Sequence, residues 1–384
     1  MYRMREAPKR VLHIVSALEV GGAEMLIMNI YRKIDRRKVQ FDFVTHGYRK
    51  GALEDEIISL GGRIYHVPSI GTTGYVFYLH QLELIMAEQQ YAAVHAHTDY
   101  QSGFPVWAAK KSGIEKRICH AHSSGWLRNQ GVKEKVMLKG LQALIKKYAT
   151  SYCGCSEEAA AFLFGKKMVD MKKVKMMKNA IDVERYIDTD TSSRNNVIKE
   201  LQLPESAKII GHVGRFSESK NQKFILQLAK QLLGEDNSYY MLFIGDGPLR
   251  KGVEEEAKRF GIDAHTRFLG ERQDVAKYMK AFDILLFPSL FEGFGIVTLE
   301  AQSVGTPCIA SNTVPASTDI GLGLISYVSL DDERQWIEKI QQAINKKAPT
   351  KERIYNRFRE RGFDIRTQVN DWLELYSLEV GGEK

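Results

Sequence analysis

The sequence predicts an α/β protein with two doubly wound domains, and three observations lead to that prediction. Short apolar runs alternate with helix-length amphipathic stretches along the chain. This alternation stops at a polar stretch near residues 182–196 and then starts again. The 384 residues suffice for two domains of ordinary size. Strands that alternate with helices form parallel sheets covered by those helices, so we expect two Rossmann-like domains.

The predicted strands fall into two series. In the first series, helix-length stretches at Ala23–Ile34 and Ala52–Leu60 lie between the strands. The strands of the first series are Val11–Ser16, Phe41–Thr45, Ala92–His95 and Arg117–His120. Those of the second series are Lys208–Val213, Tyr240–Ile244, Thr266–Leu269, Ile284–Phe287 and Pro307–Ala310.

The composition is that of a soluble protein, with 44% hydrophobic and 27% charged residues. No apolar run approaches the length that spans a bilayer. The first apolar stretch, Val11–Val20, contains His13 and Glu19 and leads into a Gly-Gly turn. That pattern argues against a signal peptide, so we expect a cytoplasmic protein.

The net charge of +8 is concentrated in the first half of the chain. Residues 1–185 hold 29 Lys and Arg against 18 Asp and Glu, whereas the remainder holds 26 against 29. A basic half can bind nucleic acid, anionic lipid or phosphorylated ligands. No nucleic-acid-binding signature accompanies it, so we expect no nucleic-acid partner.

The chain offers two patterns that resemble metal sites, and we predict a metal at neither. Asp188-Thr189-Asp190 has the D-x-D pattern of a metal-diphosphate motif but lies in the polar stretch with no apolar strand before it, so we expect coil. Cys153 and Cys155 are wrongly spaced for a zinc ribbon. We expect buried free thiols at all four cysteines, which are Cys119, Cys153, Cys155 and Cys308.

A glycine turn, Gly21-Gly22-Ala23-Glu24, follows the first predicted strand and opens an amphipathic helix. Two glycines let the backbone approach a ligand closely, and free amides at a helix start can face an anion. The spacing differs from G-x-G-x-x-G, which argues against a nicotinamide cofactor. A plain strand-to-helix turn is the alternative.

Two His-x-His elements, His95/His97 and His120/His122, each end an apolar run. Side chains two apart in a strand share a face, so we expect both pairs at strand ends. Three interpretations compete: a zinc site near Asp99, histidines with local partners in or beside the core, and a polar wall that orients a sugar. We favour the polar wall for His122 and a structural role for His95.

Arg215 and Lys220 bracket a short loop after the first strand of the second series. Ligands of open parallel sheets bind outside the carboxyl ends of the strands. Two cations there can hold a diphosphate and stabilise it as a leaving group. A solvated surface pair is the alternative. The turn Gly245–Leu249 follows the predicted strand Tyr240–Ile244. It either passes near the base of a nucleotide or is a tight turn with no ligand.

A glycine-rich segment carries the strongest signal of a binding site. Gly293 and Gly295 follow the apolar strand Ile284–Phe287, and we expect an amphipathic helix to begin near Gly295. Its free amides form an anion site. Glu300 then lies about 7 Å along the helix axis, beside the ribose of a nucleotide whose diphosphate rests on the helix start. Glu292 would face a sugar.

These motifs resemble those of the retaining glycosyltransferases of family 4, which have the GT-B fold. Glu292 and Glu300 have the E-x7-E spacing of that family, and Ile118–Ser123 looks like the members that build capsule and exopolysaccharide repeat units. Residues 179–182 read Asn-Ala-Ile-Asp, where Asn-Gly-Ile-Asp is commoner. Further matches are Gly21–Glu24, Val213–Arg215, Lys220–Asn221, Gly245–Pro248, Phe268–Gly270 and Glu292–Gly295.

The resemblance implies two Rossmann-like domains that face a central cleft. Residues 1–180 would form an acceptor-binding domain, completed by a C-terminal helix within residues 365–384. Residues 181–364 would form the donor-binding domain. We predict helices at Ile354–Phe358 and Thr367–Leu378.

The family's residue roles carry over to the matching positions. Arg215 and Lys220 would bind the donor diphosphate, and Glu300 the ribose. The two catalytic positions would be Glu292, which binds the donor sugar, and His122, which contacts that sugar and helps to place the acceptor. The donor site would also include Gly22 under the phosphates, Phe268 and Leu269 beside the base, and Gly293, Phe294, Gly295, Ile296 and Val297 at the helix start.

The resemblance further implies that the protein transfers a hexose from a nucleotide sugar to a lipid-linked oligosaccharide in exopolysaccharide or capsule biosynthesis. We expect a UDP-sugar as the donor, because UDP is the commonest nucleotide in the family. The configuration at the anomeric carbon would be retained, without a divalent metal or cofactor. The leaving phosphate would take the acceptor's proton, so Glu292 is not assigned as a nucleophile. A sugar-nucleotide epimerase or hydrolase, and a non-catalytic scaffold that binds nucleotide sugar, are the alternatives.

Basic segments in the first half suggest contact with a membrane surface. Lys133–Tyr148 is predicted as a basic amphipathic helix, and Lys166–Lys178 adds six lysines. We expect these segments to let the N-terminal domain lie on anionic lipid at the inner face of the cell membrane and meet a lipid-linked acceptor. A solvated basic helix face is the alternative.

Overall fold

The computed structural model describes residues 7–19, 21–123, 125, 132–189, 193–344 and 346–378, apart from the side chains of residues 132–134. The chain divides into two compact units, Met1–Ala180 with Ile365–Lys384, and Ile181–Asp364. Each unit contains one parallel sheet with helices packed on it. The prediction of an α/β protein with two doubly wound Rossmann-like domains is confirmed.

The N-terminal domain has a sheet of seven parallel strands. They are β1 (Lys9–Ile14), β2 (Val39–His46), β3 (Ile64–Val67), β4 (Tyr91–Ala96), β5 (Lys116–Ala121), β6 (Ser151–Gly154) and β7 (Lys175–Met176). Their order is β3-β2-β1-β4-β5-β6-β7, so the winding reverses between β1 and β4. Such a switch point is where open α/β sheets bind ligands.

Helices of the N-terminal domain lie between these strands in sequence. They are α1 (Gly22–Lys33), α2 (Glu54–Ser59), α3 (Ile70–Thr73), α4 (Tyr75–Ala87), α5 (Gly103–Lys111), α6 (Val132–Tyr148), α7 (Glu157–Phe164) and α8 (Lys166–Asp170). A 3-10 turn, Asp99–Ser102, follows β4. Among the helices of this domain, α1 buries Leu26, Ile27 and Ile30 in the main core cluster.

The C-terminal domain has a sheet of six parallel strands. They are β8 (Lys208–Val213), β9 (Tyr239–Ile244), β10 (Thr266–Phe268), β11 (Ile284–Phe287), β12 (Cys308–Ser311) and β13 (Ile325–Val328). Their order is β10-β9-β8-β11-β12-β13, so the switch point lies between β8 and β11.

Eight helices are described in the C-terminal domain. They are α9 (Val183–Ile187), α10 (Ser193–Glu200), α11 (Gln222–Glu235), α12 (Arg250–Arg259), α13 (Val275–Ala281), α14 (Ile296–Ser303), α15 (Glu333–Ile344) and α16 (Lys351–Arg361). The last helix, α17 (Ile365–Leu375), belongs to the N-terminal domain. There it packs on α1, and Trp372 and Tyr376 are buried in the same core cluster as the apolar face of α1.

The predicted strands all occur, each within two residues of its predicted bounds. Four further strands, β3, β6, β7 and β13, had not been predicted. The polar stretch that marks the change of domain holds α9 and the start of α10 rather than coil throughout. Asp188 and Thr189 follow α9, and Asp190 lies outside the described residues.

The four cysteines are buried free thiols, as predicted. Burial raises the pKa of each of them, to about 12 for Cys153 and Cys155. Within the described ranges, every helix is either too short or too polar to cross a bilayer.

Candidate active site

The loops at the carboxyl ends of the C-terminal strands are hydrogen-bonded to one another. The amide of Gly214, after β8, donates to the carbonyl of Ile244 at the end of β9 over 2.9 Å. The amide of Leu290, after β11, donates to the carbonyl of Ser219 in the β8 loop over 2.8 Å. These bonds fix the loops on both sides of the switch point relative to each other.

The turn after β9 needs glycine because neighbouring backbone approaches it closely. Gly245 has a φ of +131°, and a Cβ there would lie 2.2 Å from the carbonyl oxygen of Gly214. At Gly247, with a φ of +153°, a Cβ would lie 2.5 Å from the oxygen of Phe216. Packing of the two loops therefore accounts for this turn without a ligand.

Lys220 and Glu292 form an ion pair across the switch point. Lys220 lies in the loop after β8 and Glu292 in the loop after β11. Ser289 Oγ donates to Glu292 Oε1 over 2.7 Å, and Lys220 Nζ lies 4.6 Å from the centre of the Phe287 ring. The lysine side chain is 20% exposed and the glutamate side chain 11% exposed. A half-buried cation is thus positioned where the sequence predicted a diphosphate.

The side chain of Arg215 is exposed, and its guanidinium makes no hydrogen bond or ion pair with any described residue. Its backbone is held instead, because Gln222 Nε2 donates to the Arg215 carbonyl over 2.8 Å. This cation is therefore available to an anion in solution.

His212 anchors the same loop and was not predicted as a site residue. Its Nδ1 donates to the carbonyl of Leu286 over 3.0 Å, and its Nε2 lies 3.2 Å from Gln222 Nε2. Burial lowers the pKa of His212 to about 4, so the ring is neutral near pH 7 and can accept from Gln222. An apolar strand that contains one histidine gives no sign of this role.

Helix α14 begins one residue after Gly295, as the sequence predicted. Gly295 has a φ of +86°, and a Cβ there would lie 3.2 Å from both Phe287 and Val314. The Thr298 amide and Oγ1 both donate to the Gly295 carbonyl, over 2.9 and 2.8 Å. In the described structure no side chain caps this end, which leaves the first-turn amides able to face an anion.

The helix differs from the prediction in one respect, since it is buried on nearly every side rather than amphipathic. Among its eight residues, only Val297 is partly exposed. Phe294, just before it, is also buried and lies 6.0 Å from Phe363, measured between ring centres. Phe294 can therefore reach a donor only through its backbone. Gly293 precedes it without a left-handed φ.

Glu300 is the fifth residue of α14 and is only 9% exposed. Tyr186 Oη, from α9, donates to Glu300 Oε1 over 2.7 Å. Burial raises the pKa of Glu300 to about 7, against the opposing effects of the Tyr186 hydrogen bond and the Arg185 charge. The sequence predicts Glu300 but not Tyr186, because α9 lies in the polar stretch between the two series of predicted strands.

Phe268 and Leu269 lie at the end of β10, at the outer edge of the sheet. Phe268 stacks on Phe243 with 5.2 Å between ring centres and an interplanar angle of 11°, and it is half-buried. The Leu269 amide donates to the Phe243 carbonyl over 2.9 Å. The amide of Leu269 is thus engaged within the sheet, and the half-buried side chains of Phe268 and Leu269 form part of the surface at this edge.

In the N-terminal domain, the start of α1 differs from the start of α14. Gly22 is exposed, and a Cβ there would have no heavy atom within 4 Å. The Glu24 side chain turns back to the helix start, where a Cβ on Gly21 would lie 2.3 Å from Glu24 Oε2. Burial, with the charges of Asp99 and Glu19, raises the pKa of Glu24 to about 7. A carboxyl group of the protein itself therefore lies at this helix start.

Five histidines gather on one face of the N-terminal sheet. The expectation that both His-x-His pairs lie at strand ends is wrong for His95 and His120, which lie within β4 and β5 and are completely buried. Only His97 and His122 follow strand ends. The fifth member, His13 in β1, pairs in register with His95 and was not predicted.

Hydrogen bonds link three of these rings in series. His122 Nε2 lies 2.9 Å from His97 Nδ1, and His97 Nε2 lies 3.1 Å from His13 Nδ1. His95 Nδ1 lies 2.9 Å from Tyr376 Oη. Burial lowers the pKa of all five histidines, to about 3 for His13 and well below the usual value for His95, His97 and His120. The rings are therefore neutral near pH 7.

Asp99 fixes the loop that carries His122. Asp99 has a φ of +47°, its Oδ1 accepts from the His122 amide over 2.8 Å, and its Oδ2 accepts from Ser123 Oγ over 2.8 Å. The Asp99 charge also opposes the lowering of the His122 pKa. This carboxylate is thus occupied by the backbone and side chain of the loop.

Comparison with known proteins identifies the family. Residues 193–361 match the family Glycosyl transferases group 1, and residues 20–185 match Glycosyltransferase Family 4. The chain is 37% identical over 385 residues to the putative glycosyltransferase EpsF of Bacillus subtilis (strain 168), covering 98% of each protein.

Two further relatives cover less of the chain. The capsular polysaccharide biosynthesis glycosyltransferase CapH of Staphylococcus aureus is 27% identical over 307 residues, which are 79% of this chain and 81% of CapH. The UDP-Gal:alpha-D-GlcNAc-diphosphoundecaprenol alpha-1,3-galactosyltransferase of Escherichia coli is 26% identical over 234 residues, or 59% of each protein.

A solved structure shares the fold. The crystal structure of Anabaena HepE in complex with UDP and glucose matches with a TM-score of 0.79 at 19% identity, over 96% of this chain and 99% of HepE. With a full-length relative at 37% identity and this common architecture, the chain belongs to the group 1 glycosyltransferases with a family 4 N-terminal domain, and it is a glycosyltransferase of the GT-B fold.

Proposed function

We propose that the protein transfers a hexose from a UDP-sugar to a lipid-linked oligosaccharide in exopolysaccharide or capsule biosynthesis, with retention of configuration. The single observation that carries the proposal is the Lys220–Glu292 ion pair at the β8/β11 switch point, in the loop that leads into α14. The names of the relatives support the biological setting, since one is a capsular enzyme and another acts on a diphosphoundecaprenol-linked sugar.

The donor diphosphate is proposed to bind Lys220, Arg215 and the first amides of α14, from Gly295 to Val297. Lys220 is held near its working position by Glu292 and by the Phe287 ring, whereas Arg215 is free to close on the ligand. A cation that is already ordered loses less side-chain entropy when it binds. The crystal structure of HepE with UDP and glucose supports a uridine nucleotide as the donor carrier.

Glu300 is proposed to accept hydrogen bonds from the ribose hydroxyls. Its pKa of about 7 leaves a substantial ionised fraction at neutral pH, and the Tyr186 hydroxyl fixes one of its oxygens. Phe268 and Leu269 would border the base at the outer edge of the sheet, and Gly22 would lie under the phosphates.

Chemistry is proposed to depend on stabilisation of the leaving group. The bond between the anomeric carbon and the phosphate oxygen breaks, the acceptor oxygen bonds to that carbon on the same face, and its proton passes to the leaving phosphate. Lys220 and Arg215 stabilise the charge that develops on the phosphate, so they act most strongly in the transition state. No step is assigned to a metal ion or cofactor.

Glu292 is proposed to bind the donor sugar rather than attack it. Its Oε1 is already shared by Lys220 and Ser289, and those bonds reduce the nucleophilicity of a carboxylate. When the diphosphate draws Lys220 towards itself, Glu292 can accept from a sugar hydroxyl instead. His122, in the N-terminal domain, is proposed to contact the sugar and help to place the acceptor.

A donor panel tests this function. We expect UDP-sugars to raise the melting temperature of the parent protein, and one of them to be turned over with a lipid-linked acceptor. Lys220→Ala and Glu300→Ala should lose the donor-induced shift, whereas Lys223→Ala, an exposed lysine on α11 paired with Glu256, should keep it. If both site variants bind donors as the parent does, the site is misplaced.

The same assay separates the two alternatives. Release of free sugar, or of an epimerised nucleotide sugar, without an acceptor would identify a hydrolase or epimerase. Donor binding without turnover on any acceptor would identify a scaffold.

Membrane contact through α6 is part of the proposal. Val136 and Met137 on this helix are 65% and 50% exposed, and Lys135 and Lys139 of the same helix are exposed as well. Exposed apolar side chains flanked by lysines suit an anionic lipid surface. We expect co-sedimentation with vesicles that contain anionic lipid, and loss of it in Val136→Asp/Met137→Asp.

A matched control is Ile58→Asp, which changes an apolar residue of α2 that is 58% exposed and lies outside both basic segments, and it should sediment like the parent. Absence of vesicle binding by the parent at low ionic strength would contradict membrane contact, but it would leave the donor site as proposed.

A further inference from the structure

We propose that His97, His120 and His122 bind one divalent transition-metal ion of the zinc class at the carboxyl edge of the N-terminal sheet. This site shares only His122 with the proposed function, where that residue is proposed to contact the sugar. Metal binding is measured without donor or acceptor, so failure of the metal site and failure of the proposed function can be told apart.

The geometry of the three rings is the first support. One nitrogen from each ring lies within 4.8 Å of a nitrogen of each of the others. His97 follows β4, His120 lies within β5 and His122 follows β5, which pairs with β4 in the sheet. Trp372 packs against the rings of His97 and His120. Three imidazoles that converge in this way are a common ligand set for zinc, cobalt and nickel ions.

His120 is the second support, because its burial is otherwise unexplained. The side chain is completely buried, and neither nitrogen has a hydrogen-bond partner in the part of the chain that the structure describes. A buried polar group without a hydrogen-bond partner destabilises the folded state. By contrast, the buried His212 of the C-terminal domain has a contact at each nitrogen, with Leu286 and Gln222.

The His97–His122 contact is close to metal-ligand spacing. His97 Nδ1 and His122 Nε2 are 2.9 Å apart, which is hydrogen-bond distance. Bonds of about 2.0–2.1 Å to a tetrahedral ion would hold two nitrogens roughly 3.3 Å apart, so a widening of a few tenths of an ångström is required.

Proton positions are consistent with metal binding at these atoms. The ion would take His97 Nδ1 and His122 Nε2, and the His97 proton would then sit on Nε2 and donate to His13 Nδ1, 3.1 Å away. A ligating histidine characteristically donates its other N–H to a hydrogen-bond acceptor, which fixes the ring. A neutral His13 ring can be that acceptor through Nδ1. The shift is between tautomers of neutral rings and changes no net charge.

A second set of three, His13, His95 and His97, also converges within 4.8 Å, but it suits an ion less well. All three rings are completely or almost completely buried, and His95 Nδ1 is engaged by Tyr376. The outer set includes the half-buried His122, through which an ion and a water ligand can enter. We therefore assign the ion to the outer set.

Cobalt binding to the untagged, full-length protein tests the site. After treatment with a chelator and dialysis, we expect one equivalent of Co²⁺, seen as ligand-field absorption in the visible region, and displacement of that absorption by Zn²⁺. His120→Phe should lose the absorption and weaken zinc binding at least tenfold. His13→Phe, which removes the hydrogen-bond partner of His97 Nε2 but no proposed ligand, should weaken it about 10–100-fold.

Two further variants distinguish loss of a metal ligand from misfolding. His122→Gln changes the half-buried ligand and should also lose cobalt absorption with an unchanged circular dichroism spectrum. His46→Gln is the matched control, since His46 belongs to the same domain and bonds to Tyr78 outside the cluster. It should bind cobalt like the parent.

Three results would overturn the assignment. The first is a parent protein that takes up no Co²⁺ or Zn²⁺ at micromolar concentration. The second is parent-like binding by both His120→Phe and His122→Gln. The third is loss of binding in His95→Phe with retention in His120→Phe, which would place the ion in the inner set.

Discussion

Both domains have a doubly wound parallel sheet, but the loops after their strands carry different chemistry, with charged side chains in the C-terminal domain and neutral rings in the N-terminal domain. In the C-terminal domain the loops after β8 and β11 bring Lys220 and Glu292 into an ion pair, with the exposed Arg215 beside them. In the N-terminal domain the ends of β4 and β5 present His97 and His122 as neutral, mutually hydrogen-bonded rings. The fold places the site, and the loop residues decide what it can bind.

The helix starts show the same contrast. The start of α14 follows the left-handed Gly295 and has no side-chain cap within the described residues. The start of α1 is approached by the carboxyl of Glu24. The start of α14 is therefore the more favourable of the two for an anion, which agrees with a donor diphosphate held mainly by the C-terminal domain.

The largest expected effect is the loss of the C-terminal cation. Lys220→Ala should lower kcat/KM for the donor by about 10²–10³, because it removes a charge that stabilises the leaving phosphate. Steady-state kinetics at several donor concentrations measures the loss, and Lys223→Ala serves as the control. A decrease in kcat/KM of less than threefold would contradict the proposal that Lys220 stabilises the leaving phosphate.

Gly295→Ala tests the backbone that begins α14. A residue with a Cβ is strained at a φ of +86°, and the added atom would press on Phe287 and Val314. We expect a loss of about 1–3 kcal/mol in the free energy of unfolding, measured by urea denaturation.

The control for that variant is Gly252→Ala, at an exposed position within α12 where a Cβ meets nothing. It should stabilise the protein by roughly 0.5–1 kcal/mol. Equal stability changes of the same sign in both variants would contradict a special conformation at Gly295.

The pH dependence of stability compares a buried carboxyl of each domain. Glu24 and Glu300 both have pKa values raised from 4.5 to about 7, so the folded chain keeps protons that the unfolded chain releases in that window. Their contribution to the free energy of unfolding therefore falls as pH rises from 4.5 to 7. Glu24→Gln and Glu300→Gln should each flatten that fall.

Urea denaturation at about pH 5 and about pH 7.5 gives the free energy of unfolding of each variant and of the parent. Relative to the parent, each variant should be more stable at the higher pH than at the lower. Only Glu300→Gln should also weaken UDP binding. An equal loss of UDP binding in both variants would remove the distinction between the domains.

The smallest expected effect is at Tyr186, which acts through Glu300. Tyr186→Phe removes the hydrogen bond to Glu300 Oε1 and should raise the donor KM about two- to tenfold with kcat nearly unchanged, as loss of one such bond costs about 0.5–1.5 kcal/mol. Tyr327→Phe, which removes a bond to Thr318 elsewhere in the domain, is the control. A fall in kcat without a change in KM would argue against this positioning role.

Much of the fold could be predicted from periodicity, because buried parallel strands are short apolar runs between amphipathic helices. The unpredicted β7 has two residues, Lys175–Met176, and β13 mixes Ser326 and Tyr327 with apolar ends, so neither gives a clear run. Such edge strands form because a neighbour offers free backbone groups.

The candidate site was predictable residue by residue but not as a set of contacts. Glycine spacing located α14 and Glu300, whereas the pairing of Lys220 with Glu292 joins positions 72 residues apart and requires the strand order. Likewise, His13 lies alone in an apolar strand and joins the histidine cluster only because β1 and β4 are neighbours in the sheet.

The comparison between the domains is tested most directly by calorimetric titration of UDP into the parent, Lys220→Ala and His122→Ala proteins. We expect Lys220→Ala to give no binding heat at concentrations that saturate the parent, and His122→Ala to bind UDP with the parent's affinity. Loss of UDP binding in His122→Ala together with full binding in Lys220→Ala would contradict a nucleotide site in the C-terminal domain.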